Sequence, residues 1–145
     1  MEKNWRNCYL TMDKVVLKSK EFALTLVAES DWQCHVYFSK RRNFKKVYLG
    51  IERVEYVCSH LISGLTKKLM EGEGIYKHGD IDVFWIMSLF VGHASLYGNV
   101  SDMGFKLFCV EDGGHYLPTI TLTQQCINDW VAQLSDLRMK YQSES

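Results

Sequence analysis

The chain has 145 residues, 47% of them apolar and 23% charged, which suits a globular protein and excludes a disordered one. The formal net charge is zero, with 17 basic and 17 acidic residues. Residues 1–50 carry ten Lys or Arg against five Asp or Glu, whereas residues 51–145 carry seven against twelve. We therefore expect a single domain over residues 1–145 with a basic and an acidic surface.

The N-terminal sequence and the cysteines bear on the compartment. Residues 1–6 lead into no long apolar run, and the most apolar stretch, residues 83–91, is too short to span a bilayer. Five cysteines form an odd set without CxxC spacing. These features predict a cytoplasmic protein with reduced thiols and no membrane contact. The cysteines are Cys8, Cys34, Cys58, Cys109 and Cys126.

The first third of the chain is rich in predicted strands. Apolar residues alternate with polar ones over 22–26 and again over 32–38, and Glu29-Ser30-Asp31 separates the two runs, as in a hairpin. An earlier strand is predicted around 15–17. Residues 47–51 form either a short strand or the lead into a helix.

From residue 52 the apolar spacing changes to three and four, which predicts a helix over 52–71 that ends at Gly72 and Gly74. The tract 83–91 is apolar at consecutive positions, as a strand covered on both faces would be. We expect a bend after it at Gly92 and a turn over 96–99.

The last third predicts a strand, a hairpin and a helix. The run from Phe105 alternates up to a glycine-containing turn at 111–114, and a second alternating run reaches residue 122. A helix over 123–141 follows, capped either by a capping box at 121–124 or by Thr123 alone. The predicted class is α+β, with a mostly antiparallel sheet of five or six strands and two main helices.

The sequence offers little support for a metal site or a catalytic site. Cys34 and His35 are neighbours on a predicted strand and point to opposite faces, while Cys58 and His60 diverge on a helix. The sequence has no nucleophile elbow, HExxH, P-loop or GxGxxG motif. We therefore predict no metal, no cofactor and no enzymatic activity, and a small enzyme with an unrecognised site is the third alternative.

A basic segment stands out between residues 40 and 46. It holds five cations in seven residues, with Tyr37, Phe44 and Tyr48 nearby, and cations with aromatic rings suit phosphates and unstacked bases. The alternative interpretation is a solvated hairpin loop. As a nucleic-acid-binding accessory protein, the second function considered, the chain would use Arg41, Arg42, Lys45 and Lys46. Because the net charge is zero and one loop makes a small footprint, we expect nucleic-acid binding to be weak and restricted to low salt.

Acidic residues fall in or near predicted loops of the later part of the chain. A carboxylate rim with aromatic side chains could steer and anchor a basic protein, although such residues also serve solubility. The predicted partner-binding residues are Glu73, Asp80, Asp82, Tyr97, Glu111, Asp112 and Tyr116.

About 60 C-terminal residues carry a resemblance to a known group of proteins. Their shared features are an apolar strand, a Tyr-Gly pair, a strand, an Asp-Gly turn, an alternating run and a helix, marked by Trp85, Tyr97, Gly98, Phe105, Pro118–Leu122, Trp130 and Leu134. This arrangement resembles immunity proteins of contact-dependent growth inhibition and related polymorphic-toxin systems. The resemblance implies a bacterial cytoplasmic protein that binds and neutralises one cognate toxin domain by occluding its active site. It carries over no individual binding residue.

Overall fold

A computed structural model describes residues 13–20, 22–40, 46–66, 75–78, 81–89, 94–101, 104–111 and 119–142. Its elements follow the chain in the order β1–β4, α1, β5–β9, α2. Their bounds are β1 Asp13–Lys18, β2 Phe22–Ser30, β3 Gln33–Lys40, β4 Lys46–Glu52, α1 Val54–Thr66, β5 Ile75–His78, β6 Ile81–Ser88, β7 Ala94–Ser101, β8 Gly104–Glu111, β9 Ile120–Leu122 and α2 Gln124–Gln142.

The α+β class is confirmed, but the prediction of one five- or six-stranded sheet needs correction. Strands β1 to β4 form one antiparallel sheet in chain order, and β5 to β9 form a second. In the described part of the chain, α1 follows β4 directly and carries the backbone out of the first sheet. Strand β5 consequently pairs with β6 rather than with β4.

Helix α1 is shorter at its start than predicted because Glu52 still pairs with Cys34 at the end of β4. Its small residues bring it close to the second sheet. A Cβ placed on the buried Gly64 would lie 2.9 Å from Ile86 Cδ1, so the absence of a side chain allows this approach. The predicted extension over 67–71 lies outside the described residues.

Helix α2 matches the predicted helix within a residue at each end. The Thr123 hydroxyl accepts a hydrogen bond from the Cys126 backbone N–H at 3.1 Å, so Thr123 is the N-cap. The buried stripe of α2 consists of Ile127, Trp130, Leu134 and Leu137. The same core cluster includes side chains of both sheets and both helices. None of the described helices is long and apolar enough to cross a bilayer.

Hydrogen bonds join α2 to the edge strand β1 at two positions along the helix. The Trp130 indole N–H donates to the Lys18 carbonyl at 3.0 Å. Near the other end of the helix, Lys140 Nζ lies 2.7 Å from Asp13 Oδ1, and the Tyr141 hydroxyl donates to Asp13 Oδ2 at 2.9 Å. The helix therefore runs antiparallel along β1.

The first part of the apolar tract, residues 83–88, lies in strand β6, as predicted, and its pattern has a specific cause. The pairing of β6 with β7 shifts register between Trp85 and Met87. A shift of this kind places one extra residue on one strand, and Ile86 and Met87 are both buried. Two successive apolar side chains therefore reach the core at this irregularity.

The predicted turn over 96–99 is wrong, because these residues lie inside β7. Gly98 indicated a turn in the sequence, yet here it stands in register with Phe84 on β6. A Cβ on Gly98 would lie 2.3 Å from Phe84 Cζ. Glycine is therefore needed at this strand position so that the Phe84 ring can lie against the β7 backbone.

Candidate binding surface

The first sheet has a core-facing side and an outer side, set by the alternation of its strands. On β3, Cys34, Val36 and Phe38 are buried, whereas His35 and Tyr37 point to the outer face. Tyr37 stands in register with Tyr48 on β4. The outer face thus presents aromatic side chains on two neighbouring strands.

These side chains form a connected group, which we name the tyrosine cluster: Glu29, His35, Tyr37, Tyr48 and Lys46. His35 Nδ1 is hydrogen-bonded to the Tyr48 hydroxyl at 2.9 Å, and His35 Nε2 lies 3.5 Å from Glu29 Oε2. A proton on Nε2 would face Glu29 and leave Nδ1 to accept from the hydroxyl. The Tyr37 and Tyr48 ring centroids are 5.2 Å apart.

Burial and neighbouring groups raise the pKa of one tyrosine in this cluster, and a lysine adds a positive charge to it. Desolvation raises the pKa of Tyr48, and the neighbouring Tyr37 and Glu29 raise it further. The Tyr48 hydroxyl is therefore protonated at neutral pH and can donate to His35. Lys46 Nζ lies 4.1 Å from the Tyr37 ring centroid, a cation–π arrangement that places a positive charge over the cluster.

A second aromatic–cation pair lies where the β2–β3 turn meets the start of α1. Trp32 is 65% exposed, and the Arg53 guanidinium carbon lies 4.1 Å from the centroid of its ring. The Val54 N–H donates to the Asp31 carbonyl at 3.0 Å, which joins the turn to the first residue of the helix. Trp32 is thus held outward on a braced turn.

Sequence reasoning missed Trp32, since it included this residue in the alternating strand predicted over 32–38. The structure shows that β3 begins at Gln33 and that Trp32 belongs to the turn. Its position directly after Asp31, a residue common in turns, could have indicated this.

Three of the predicted partner-binding residues lie in described strands, and the structure does not bring them together. Asp82 pairs with Val100 and Glu111 pairs with Ala94, at opposite ends of β7 and about 20 Å apart. The role of these residues in partner binding stays a prediction.

Tyr97 lies on the opposite face of the second sheet from Glu111. It stacks on Phe108 at 5.4 Å on the outer face of the second sheet, whereas the alternation of β8 places Glu111 on the other face. The four remaining predicted residues lie outside the described residues: Glu73, Asp80, Asp112 and Tyr116.

Of the predicted nucleic-acid-binding residues, Lys46 lies in the described part of the chain, at the start of β4. Arg41, Arg42 and Lys45 lie outside it. Lys46 is exposed and belongs to the tyrosine cluster, so one member of the basic segment is placed beside the aromatic rings that the sequence indicated.

The described cysteines are free thiols, and three of them are buried. Desolvation raises the pKa of Cys34, Cys58 and Cys109 to about 12 in each case. These thiols are protonated at neutral pH, which makes them poor nucleophiles and poor metal ligands. Within the described ranges, no group of three or more His, Cys, Asp or Glu side chains is placed to hold a metal ion.

We expect the buried thiols to make stability depend on pH at the alkaline end. The unfolded chain loses thiol protons near the ordinary pKa of 9.0, whereas the folded chain keeps them until about pH 12. Their contribution is therefore complete below about pH 9 and is lost as the pH rises towards 12. The urea midpoints measured at pH 7, 9 and 10.5 should decrease with rising pH, and they should decrease less in the Cys109→Ala variant than in the wild type. Identical declines in both proteins would contradict this assignment.

Comparison of the chain with protein-family models, with curated proteins and with solved structures finds no match.

Proposed function

We propose that this protein is a non-enzymatic inhibitor of the immunity-protein kind, which binds a cognate bacterial toxin domain in the cytoplasm and occludes its active site. The observation that carries the proposal is the exposed Trp32 with Arg53 stacked on it. The C-terminal resemblance to immunity proteins supports the same function.

The residue types on this surface are those that dominate protein–protein binding energies. Tryptophan, tyrosine and arginine are enriched among residues whose truncation weakens complexes most. The hydrogen bond between Val54 and Asp31 ties the turn that carries Trp32 to α1, so less backbone freedom remains to be lost on binding. Glu29 and Lys46 give the tyrosine cluster both signs of charge, which suits a protein partner with its own mixed charges.

The function is tested with a toxin domain encoded beside the gene. The toxin is produced in bacteria with and without this protein, and the purified pair is analysed by calorimetry. We expect restored growth, a 1:1 complex and loss of toxin activity in vitro. Toxicity that persists when both proteins are present and folded would refute the proposal.

Two variants then separate the two candidate surfaces. Trp32→Ala should weaken toxin binding by about tenfold or more if the turn is the anchor. Glu111→Lys should do so if the predicted acidic residues form the interface. Met139→Ala is the matched control, because Met139 is also 65% exposed but lies on α2. Equal losses in Trp32→Ala and Met139→Ala would rule out a specific role for the turn.

A further inference from the structure

Exposed lysines border the outer face of the first sheet. The register places Lys18, Ala23, Ser39 and Lys46 in one row across the four strands, so the two lysines stand at opposite edges of the sheet, about 14 Å apart. Lys14 lies on the same face further along β1 and is exposed like the other two. Three cations therefore border one sheet face.

The aromatic rings lie between these cations. Tyr37 and Tyr48 occupy the row next to Lys18 and Lys46, on the two strands nearest the β4 edge. Ala23 and Thr25 of β2 are buried, and the exposed lysines of β1 and the partly exposed tyrosines of β3 and β4 lie on either side of them. A ligand that reached from Lys46 towards the β1 lysines would pass over the tyrosine rings.

The charges favour an anionic ligand. Glu29 is the carboxylate that the described residues place in the tyrosine cluster, and it already lies within 3.5 Å of His35. Three lysines spaced around two tyrosines match a chain that alternates anionic groups with flat rings, which describes a single-stranded nucleic acid. An acidic protein segment supplies the anions but not the stacking bases.

We propose that the outer face of the first sheet binds single-stranded RNA or DNA, a function beyond toxin binding. Lys14, Lys18 and Lys46 contact phosphates, and Tyr37 and Tyr48 contact bases, which requires Lys46 to move from its position over the Tyr37 ring. The basic segment 40–46 predicts such a ligand, and Lys46 is the member of the predicted set that the described residues place on this sheet face.

The electrostatic part is tested by fluorescence anisotropy with labelled 12-nucleotide oligo(dT) and oligo(rU). Three phosphate contacts predict binding that is about 20-fold weaker at 200 mM than at 50 mM NaCl. Lys46→Ala should reduce this ratio to about sevenfold, because one contact is lost. Lys106→Ala, which removes a lysine from the second sheet, should leave the ratio at about 20-fold.

The stacking part is tested at fixed salt. Tyr37→Leu should weaken oligonucleotide binding by about tenfold while circular dichroism shows an unchanged fold. Poly-L-glutamate of matched charge serves as the competitor that lacks bases, and it should displace the oligonucleotide poorly.

Three outcomes would overturn the proposal. They are no binding of either oligonucleotide at 50 mM NaCl, equal effects of Lys46→Ala and Lys106→Ala, and competition by poly-L-glutamate as strong as by unlabelled oligonucleotide. The last outcome would instead identify the face as a site for acidic protein segments.

Discussion

Replacement of Trp130 by alanine is expected to lower the free energy of unfolding by about 3–5 kcal/mol. The indole is 1% exposed and packs in the core cluster that joins both helices to the sheets. Its truncation leaves a cavity and also removes the hydrogen bond to the Lys18 carbonyl. Urea denaturation followed by circular dichroism measures the change as a lower midpoint.

Two further variants on the same helix control this experiment. Met139→Ala removes an exposed side chain and should change stability by less than about 0.5 kcal/mol. Trp130→Phe keeps an aromatic ring but lacks the indole N–H, so it should be less harmful than Trp130→Ala. A midpoint unaffected by Trp130→Ala would show that α2 does not hold the sheets together.

Alanine at Gly98 is expected to destabilise the protein by about 1–3 kcal/mol, although only one methyl group is added. The new Cβ would stand 2.3 Å from the Phe84 ring, which is itself buried and faces Phe105 at 6.0 Å. The ring would have to move into a packed core, or β7 would have to separate from β6. Chemical denaturation of the purified variant measures this cost.

A double variant identifies the cause. Phe84→Leu creates room beside residue 98, so Gly98→Ala should cost less in the Phe84→Leu background than in the wild type. Gly104→Ala is the comparison for backbone strain, because Gly104 has a φ of +105° and a Cβ placed on it would meet no atom within 4 Å. Costs at position 98 that are the same in both backgrounds would contradict the steric explanation.

The sequence predicted well those elements that can be recognised from residues close together along the chain. The three-and-four spacing of Ile127, Trp130 and Leu134 indicates a helix without reference to the rest of the chain, and Thr123 is recognisable as a cap. The alternation of Phe105 and Leu107 identifies β8 for the same reason.

The elements that it predicted poorly depend on distant partners. The separation into two sheets depends on which edge β5 joins, and no local pattern in residues 75–78 encodes that choice. A glycine at position 98 is compatible both with a turn and with close packing under a phenylalanine ring. Only the pairing of Gly98 with Phe84 shows that the second explanation applies.

The binding surface was predictable only in part. The sequence identified the basic segment and the tyrosines near it, but the His35–Tyr48–Glu29 contacts arise from strand pairing. The acidic residues illustrate the reverse case. They all fall near predicted loops, yet Asp82 and Glu111 lie at opposite ends of β7, because loops at alternate ends of a meander are far apart.

The contact between α2 and β1 has a consequence for the newly synthesised chain. Lys18 precedes Trp130 by 112 residues, so the ribosome adds the helix about 6–22 s after it has added the strand, at typical rates of 5–20 residues per second. During that interval Leu17 and its neighbours lack the helix that later packs along β1. The nascent protein is therefore expected to need protection by chaperones until α2 has emerged, and shortening that interval by circular permutation should reduce aggregation during synthesis.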